Sequence, residues 1–332
     1  MSRGTARGLV SEGVFAVVQE AARRTMPIVL LLFGVACDKP APPPGNDTAT
    51  VTATPPVPSD SVAVAVEAPW DSAAGPVFLT IGPNSTTASV VFPSVSSDSE
   101  LESGQLNASP YTGTAFDLIA NGHVVGNATV NAVVPLDAPE QCTGWPLVRL
   151  SGVSDDSSGR GWVVGLARGR ASPVPYDSIS ALSSSDSSRF AIEIARLASS
   201  VPGDTVSELR GLPYQVRRAY RFPLANGVEG MIAEVWRTLN QEASPKQEHL
   251  LIIAERDTAN RGRFDITYTE RAAGGEETLE SSEVMAIVRF APTREVSILL
   301  ARYVGDGVVY ALLERTGSRR WRLRWTSPYV GC

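Results

Sequence analysis

Residues 282–326 read SEVMAIVRFAPTREVSILLARYVGDGVVYALLERTGSRRWRLRWT. Apolar runs are broken at short intervals by Ala291-Pro292, Gly305-Asp306-Gly307 and Thr316-Gly317. A strand sends successive side chains to opposite faces, so alternation with period 2 is its signature. Trp321, Leu323 and Trp325 alternate with Arg320, Arg322 and Arg324, which predicts one dry and one wet face. The connections are too short for crossovers, so consecutive strands are expected to pair antiparallel.

The same pattern continues upstream. It predicts strands near 231–239, 249–256, 263–271, 282–290, 295–303, 308–315 and 320–326. Phe264, Ile266 and Tyr268 face one way in this reading, with Asp265, Thr267 and Thr269 opposite. Farther upstream, Pro76–Ile81 and Thr87–Phe92 flank Gly82-Pro83-Asn84-Ser85. Phe116–Ala120 and His123–Val134 flank Asn121-Gly122, a hairpin signal because a type I′ turn needs positive φ at both positions. Trp145–Leu150 and Trp162–Ala167 read as another pair.

One helix is expected, over Ser188–Ser200, capped by Asp186 or Ser187 and stopped by Pro202-Gly203. Phe190, Ile194 and Leu197 fall at helical spacing within it. The fold class is therefore mainly β (α+β): antiparallel meander sheets with one short helix near 188–200. Residues 66–170 form an N-terminal β subdomain in this reading. Residues 171–332 form a C-terminal α+β subdomain with a seven-strand meander. The two either stand apart or share one core. No fixed-period repeat is present, so tandem propeller blades are not supported.

The chain has 332 residues, a net charge of -6 and 43% hydrophobic residues, a globular composition. Lys39 and Lys246 are the only lysines; all other basic residues are arginine, as a GC-rich genome would give. In residues 1–36, four arginines and two glutamates leave +2, so the part from Cys37 carries -8. An acidic body lacks the basic face that phosphate neutralisation needs, and no nucleic-acid partner is expected.

Arg23 and Arg24 precede an uncharged stretch of 13 residues that ends at Cys37, before Asp38. A spanning helix needs about 20 apolar residues. A signal peptide needs only a positive start, about 7–15 apolar residues and small residues before the cut. Gly34-Val35-Ala36-Cys37 resembles the lipobox of bacterial lipoproteins. It matches at Ala36 and Cys37 and departs at Gly34, where the family usually has leucine. The resemblance implies cleavage before Cys37, a lipid on its thiol and a membrane-anchored place in the cell envelope. Residues 38–60, DKPAPPPGNDTATVTATPPVPSD, lack aromatics and cannot bury enough apolar surface to fold. Residues 37–65 then read as an extended Pro/Thr-rich tether.

Cys142 and Cys332 remain as an even pair, and an oxidising compartment favours a disulfide between them. Chemistry motifs are scarce. His123 and His249 are the only histidines, no cysteines have metal spacing, and neither metal nor cofactor is expected. No Gly-x-Ser-x-Gly elbow, P-loop or dinucleotide fingerprint occurs. Val304-Gly305-Asp306-Gly307 lacks the oxygen ligands of a calcium loop. Glu242, Glu255, Glu270, Glu276 and Glu277 are carboxylates that could serve acid/base chemistry once paired in space. Arg319, Arg320, Arg322 and Arg324 form the most distinctive surface feature, suited to an anionic glycan, headgroup or acidic protein unless Glu314 on the neighbouring strand pairs with them. The leading expectation is a non-enzymatic envelope module that binds or scaffolds a protein or glycan. A carboxylate- or serine-dependent hydrolase and a purely structural protein are the alternatives.

Overall fold

The computed structural model describes residues 76–82, 86–95, 106–135, 144–153, 161–203, 207–239, 245–257, 262–275, 279–291 and 295–331. All belong to one compact unit within Ser61–Cys332. The leader, the tether, Cys37, Cys142 and Cys332 lie outside the described residues. Among the described residues, no helix is long and apolar enough to cross a membrane.

The body is built mostly of antiparallel sheets with a single α-helix. Strands β1 (Phe78–Ile81), β2 (Thr87–Val91), β3 (Ala115–Ala120), β4 (His123–Val133), β5 (Leu147–Ser151) and β6 (Val164–Ala167) close a barrel in the order β1-β2-β5-β4-β3-β6. Closure leaves no open edge. The β3–β4 hairpin turns on Asn121 and Gly122, at φ 49° and 75°, the type I′ signature expected of Asn-Gly. The segments expected to pair with each other, β5 and β6, do not. β5 lies between β2 and β4, and β6 between β1 and β3, because closing the barrel separates them.

After β7 (Ala171–Pro173) and β8 (Asp177–Ser178) comes helix α1 (Ser184–Ser200). It begins four residues earlier than expected because Ser183 is the cap: its Oγ accepts the Asp186 N–H and donates to the Asp186 carboxylate. Eight strands follow: β9 (Gln215–Pro223), β10 (Val228–Leu239), β11 (Lys246–Asp257), β12 (Asp265–Gly275), β13 (Ser281–Phe290), β14 (Val296–Val304), β15 (Gly307–Gly317) and β16 (Arg320–Thr326). The short β17 (Val330–Gly331) pairs with β15. The expected seven strands divide three and four between two sheets. One sheet runs β12-β11-β10-β9-β8, the other β16-β15-β14-β13-β7.

Side-chain parity stacks these parts into layers. In β14, Val296, Ile298 and Leu300 meet Ile232, Leu251 and Ile253 of the first sheet, forming the inter-sheet core. Leu299 and Ala301 turn instead to the barrel, where Phe78 packs edge-on against Tyr310 and Trp325. The barrel and the second sheet thus share one core. The outer face of the first sheet buries Met231, Ala233, Leu250 and Ile252 under Phe190, Ile194 and Leu197 of α1.

The last strand departs from simple alternation. Its register slips so that Leu312 pairs with Trp325 and Leu313 with Leu323, leaving Arg324 as a bulge. A one-residue slip exchanges faces. Trp321 therefore enters the inter-sheet core and Trp325 the barrel-side core, where its Nε1 donates to the Val95 carbonyl at 2.8 Å.

Candidate functional site

Both ends of the inter-sheet core are polar. At one end Glu255, 1% exposed, accepts the Arg315 fork at 2.9 and 2.8 Å, Trp321 Nε1 at 2.8 Å and the Arg319 N–H at 3.3 Å. Burial works to raise its pKa, but Arg315 and Trp321 outweigh it and hold the carboxyl below its usual range. Every acceptor position is occupied, so Glu255 is a structural carboxylate.

At the other end lies a cleft of about 200 Å³ lined by Glu234, His249, Glu270, Glu280, Ser282 and Arg302, among others. β10 and β11 carry Glu234 and His249 on their inward parity, and β12 brings Glu270. Glu234, 4% exposed, accepts the Ser282 N–H at 2.8 Å and lies within 3.4 Å of Arg218. Arg302 bridges Glu270 Oε2 at 2.6 Å and Glu280 Oε1 at 3.1 Å. The Tyr268 hydroxyl donates to Glu270. Burial raises the pKa of Glu234, against the Ser282 N–H and the two nearby arginines. Burial likewise raises Glu280, helped by the Glu270 charge and opposed by Arg302. His249 is lowered by burial. Its Nδ1 contacts the Glu280 carbonyl at 3.0 Å and its Nε2 the Gln247 side chain at 3.2 Å.

A second, larger pocket of about 440 Å³ lies where the barrel meets the first sheet. Its walls are the β3–β4 tip at His123, the segment Pro175–Asp177, the end of β9 at Arg221–Pro223 and the start of β10 at Val228 and Glu229. The tip is seated closely: a Cβ on Gly122 would lie 2.8 Å from the Val174 carbonyl oxygen. Tyr176 packs edge-on against Tyr220 with centroids 5.1 Å apart. Phe222, 1% exposed, lies against Gly230, whose missing Cβ leaves room for the ring. Arg221 reaches Asp177 at 3.7 Å, but its buried Nε has no hydrogen-bond partner.

The residues singled out from sequence fall in different places. Arg322 and Arg324 both bind Glu314, at 2.8 and 2.7 Å, and Arg319 binds Asp265 at 2.9 Å. Glu270 joins the inter-sheet cleft, Glu255 its opposite end; Glu242, Glu276 and Glu277 lie outside the described residues. His249 and His123 each line a pocket. Sequence reasoning missed Glu234, Glu280, Arg302, Tyr176, Arg221 and Phe222. Glu234 alone carried a signal, a charge inside the apolar run Met231–Trp236. Among the described residues, no group of three or more histidines, cysteines or acids is arranged to hold a metal ion. No family model matches the chain, and neither a curated protein nor a solved structure matches it.

Proposed function

We propose that the protein is a lipid-anchored envelope module that binds a small amphipathic molecule in the pocket beside His123, Tyr176, Arg221 and Phe222. The carrying observation is a pocket of about 440 Å³. That lies inside the roughly 300–1,000 Å³ range of ligand sites, whereas the inter-sheet cleft lies below it. Tyr176, Phe222, Leu224 and Val228 supply apolar surface for a ring or acyl body. Arg221, whose guanidinium lies over the Phe190 ring and 3.7 Å from Asp177, lines the pocket and supplies positive charge for an anionic head. The leader and Cys37 support an envelope address, and the proline-rich tether supports a domain carried clear of the headgroups.

Titration with the aromatic sulfonate anilinonaphthalene sulfonate tests the pocket. The expectation is saturable one-to-one binding to the folded protein, abolished by filling the pocket with Val228→Trp and weakened by Arg221→Gln. Unchanged binding in folded Val228→Trp would remove the assignment. The address is tested by labelling with a lipid analogue; equal labelling of wild type and Cys37→Ser eliminates the anchor. Peptide mapping without reduction tests the Cys142–Cys332 bridge, and two free thiols would exclude it.

A hydrolase working in the inter-sheet cleft is the second reading. It is favoured by the raised pKa of Glu234 and Glu280 around one cavity, an arrangement suited to general acid chemistry. It predicts a glycosidase or esterase activity that Glu280→Gln abolishes and Val228→Trp leaves intact.

A further inference from the structure

A third cavity, about 340 Å³, opens on the opposite face of the first sheet, between the end of α1 and the segment Arg210–Tyr214. Arg210, Arg237 and Arg271 line it. Beneath lies Glu248, fully buried, with Arg237 Nε and the Tyr214 hydroxyl on its Oε2 and Arg271 3.7 Å from its Oε1. A single carboxylate therefore faces the two inner guanidiniums, and the inner end of the pocket carries a positive excess. Arg271 is otherwise committed: its Nη atoms donate to the Val201 and Gly203 carbonyls and close the end of α1.

Arg237 is different. Its side chain is 8% exposed and its guanidinium lies over the Tyr214 ring, 4.6 Å from the centroid. Of its N–H groups, only the one on Nε has a partner among the described residues. Arg237 lines the cavity, and its two Nη atoms have no hydrogen-bond partner among the described residues. A planar fork held rigid by an aromatic face and a carboxylate is preorganised for bidentate contact.

We propose that this pocket binds a small oxyanion, a carboxylate or phosphate group, gripped by the Arg237 fork with Arg210 at the rim. The assignment is independent of the amphipathic pocket, since the two share no lining residue. The test is calorimetric titration of the folded protein with inorganic phosphate and with citrate, against sodium chloride of equal ionic strength. Wild type is expected to bind at least one of them at millimolar concentration. Arg237→Lys keeps the charge opposite Glu248 but loses the fork, and should weaken binding about tenfold. Arg210→Gln, an exposed change at the rim, should weaken it about threefold, with an unchanged thermal melt as the check on its fold. Arg322→Gln, on β16 and lining neither pocket, should not alter it. Vesicles with and without phosphatidylglycerol form the second arm: binding of free anion alone, or of free anion and anionic vesicles, both support the site and separate a soluble ligand from a headgroup. No binding beyond the chloride control, or wild-type affinity in both Arg237→Lys and Arg210→Gln, overturns it.

Discussion

Replacing Glu255 by Gln tests whether the buried carboxylate holds the two sheets together. Its oxygens accept the Arg315 fork, the Trp321 indole and one backbone N–H, in a site where Arg315 is 11% exposed and Glu255 1%. Removing one partner of a buried pair leaves an uncompensated charge and costs about 3–5 kcal/mol. The amide keeps an acceptor for Trp321, so the lower end, about 3 kcal/mol, is expected. With a urea m-value of about 3 kcal/mol/M, the midpoint should fall by about 1 M. Arg315→Met alone should cost a similar amount. The double variant should cost less than the sum, with a coupling of at least about 1.5 kcal/mol. Arg322→Ala supplies the contrast: Arg322 also binds a glutamate, at 2.8 Å, but its side chain is 62% exposed, so no more than about 1 kcal/mol is expected. Urea melts at pH 7 measure all four variants. Should Glu255→Gln cost no more than Arg322→Ala, or the double variant be additive, burial would not be what gives this pair its weight.

Acid titration separates the two ends of the inter-sheet core. Glu255, held below its usual range in the folded state, adds stability above its unfolded pKa that is lost as pH falls through the folded value. Glu234 is raised, so its contribution is full below the unfolded pKa and is lost as pH rises through the folded value; Glu234→Gln should flatten the stability profile on the alkaline side of pH 4.5, and an unchanged urea-midpoint profile would contradict the burial argument. Gly230→Ala would put a Cβ 2.5 Å from the buried Phe222 ring, so about 1–3 kcal/mol should be lost and anilinonaphthalene sulfonate binding weakened; a loss under about 0.5 kcal/mol would show that the ring yields freely. Gly122→Ala meets both a φ of 75° and the Val174 oxygen, and thermal melts should show a cost above about 1 kcal/mol. Ser183→Ala removes the α1 cap and should cost about 1 kcal/mol, whereas Ser187→Ala should be near neutral.

Strand identity was legible because period-2 alternation and turn residues are local properties of the chain. β10 to β16 lie within a few residues of where the pattern puts them, and Asn121-Gly122 supplies the predicted hairpin. Helix α1 was visible through Phe190, Ile194 and Leu197, although a serine-rich approach offered several caps and the geometry selected Ser183. Parity failed at Trp325, because a bulge at Arg324 depends on how β16 slips against β15 and leaves no local mark. The pockets were not legible. Tyr176, Arg221 and Val228 come from three separate segments, and Arg237 and Arg271 become neighbours only through the β10–β11–β12 register around Glu248.

The sequence by itself determined an acidic β-rich body and the position of most strands, β9 being the long one it did not reveal. Only the tertiary structure decided that the strands divide into a barrel and two stacked sheets, which carboxylates are buried, and which arginines are spent on them. The physical reason is range. Backbone preference and alternation act over a few residues. Desolvation and charge pairing depend on groups tens to hundreds of positions apart, as when Tyr310 reaches Thr80 or Arg315 reaches Glu255.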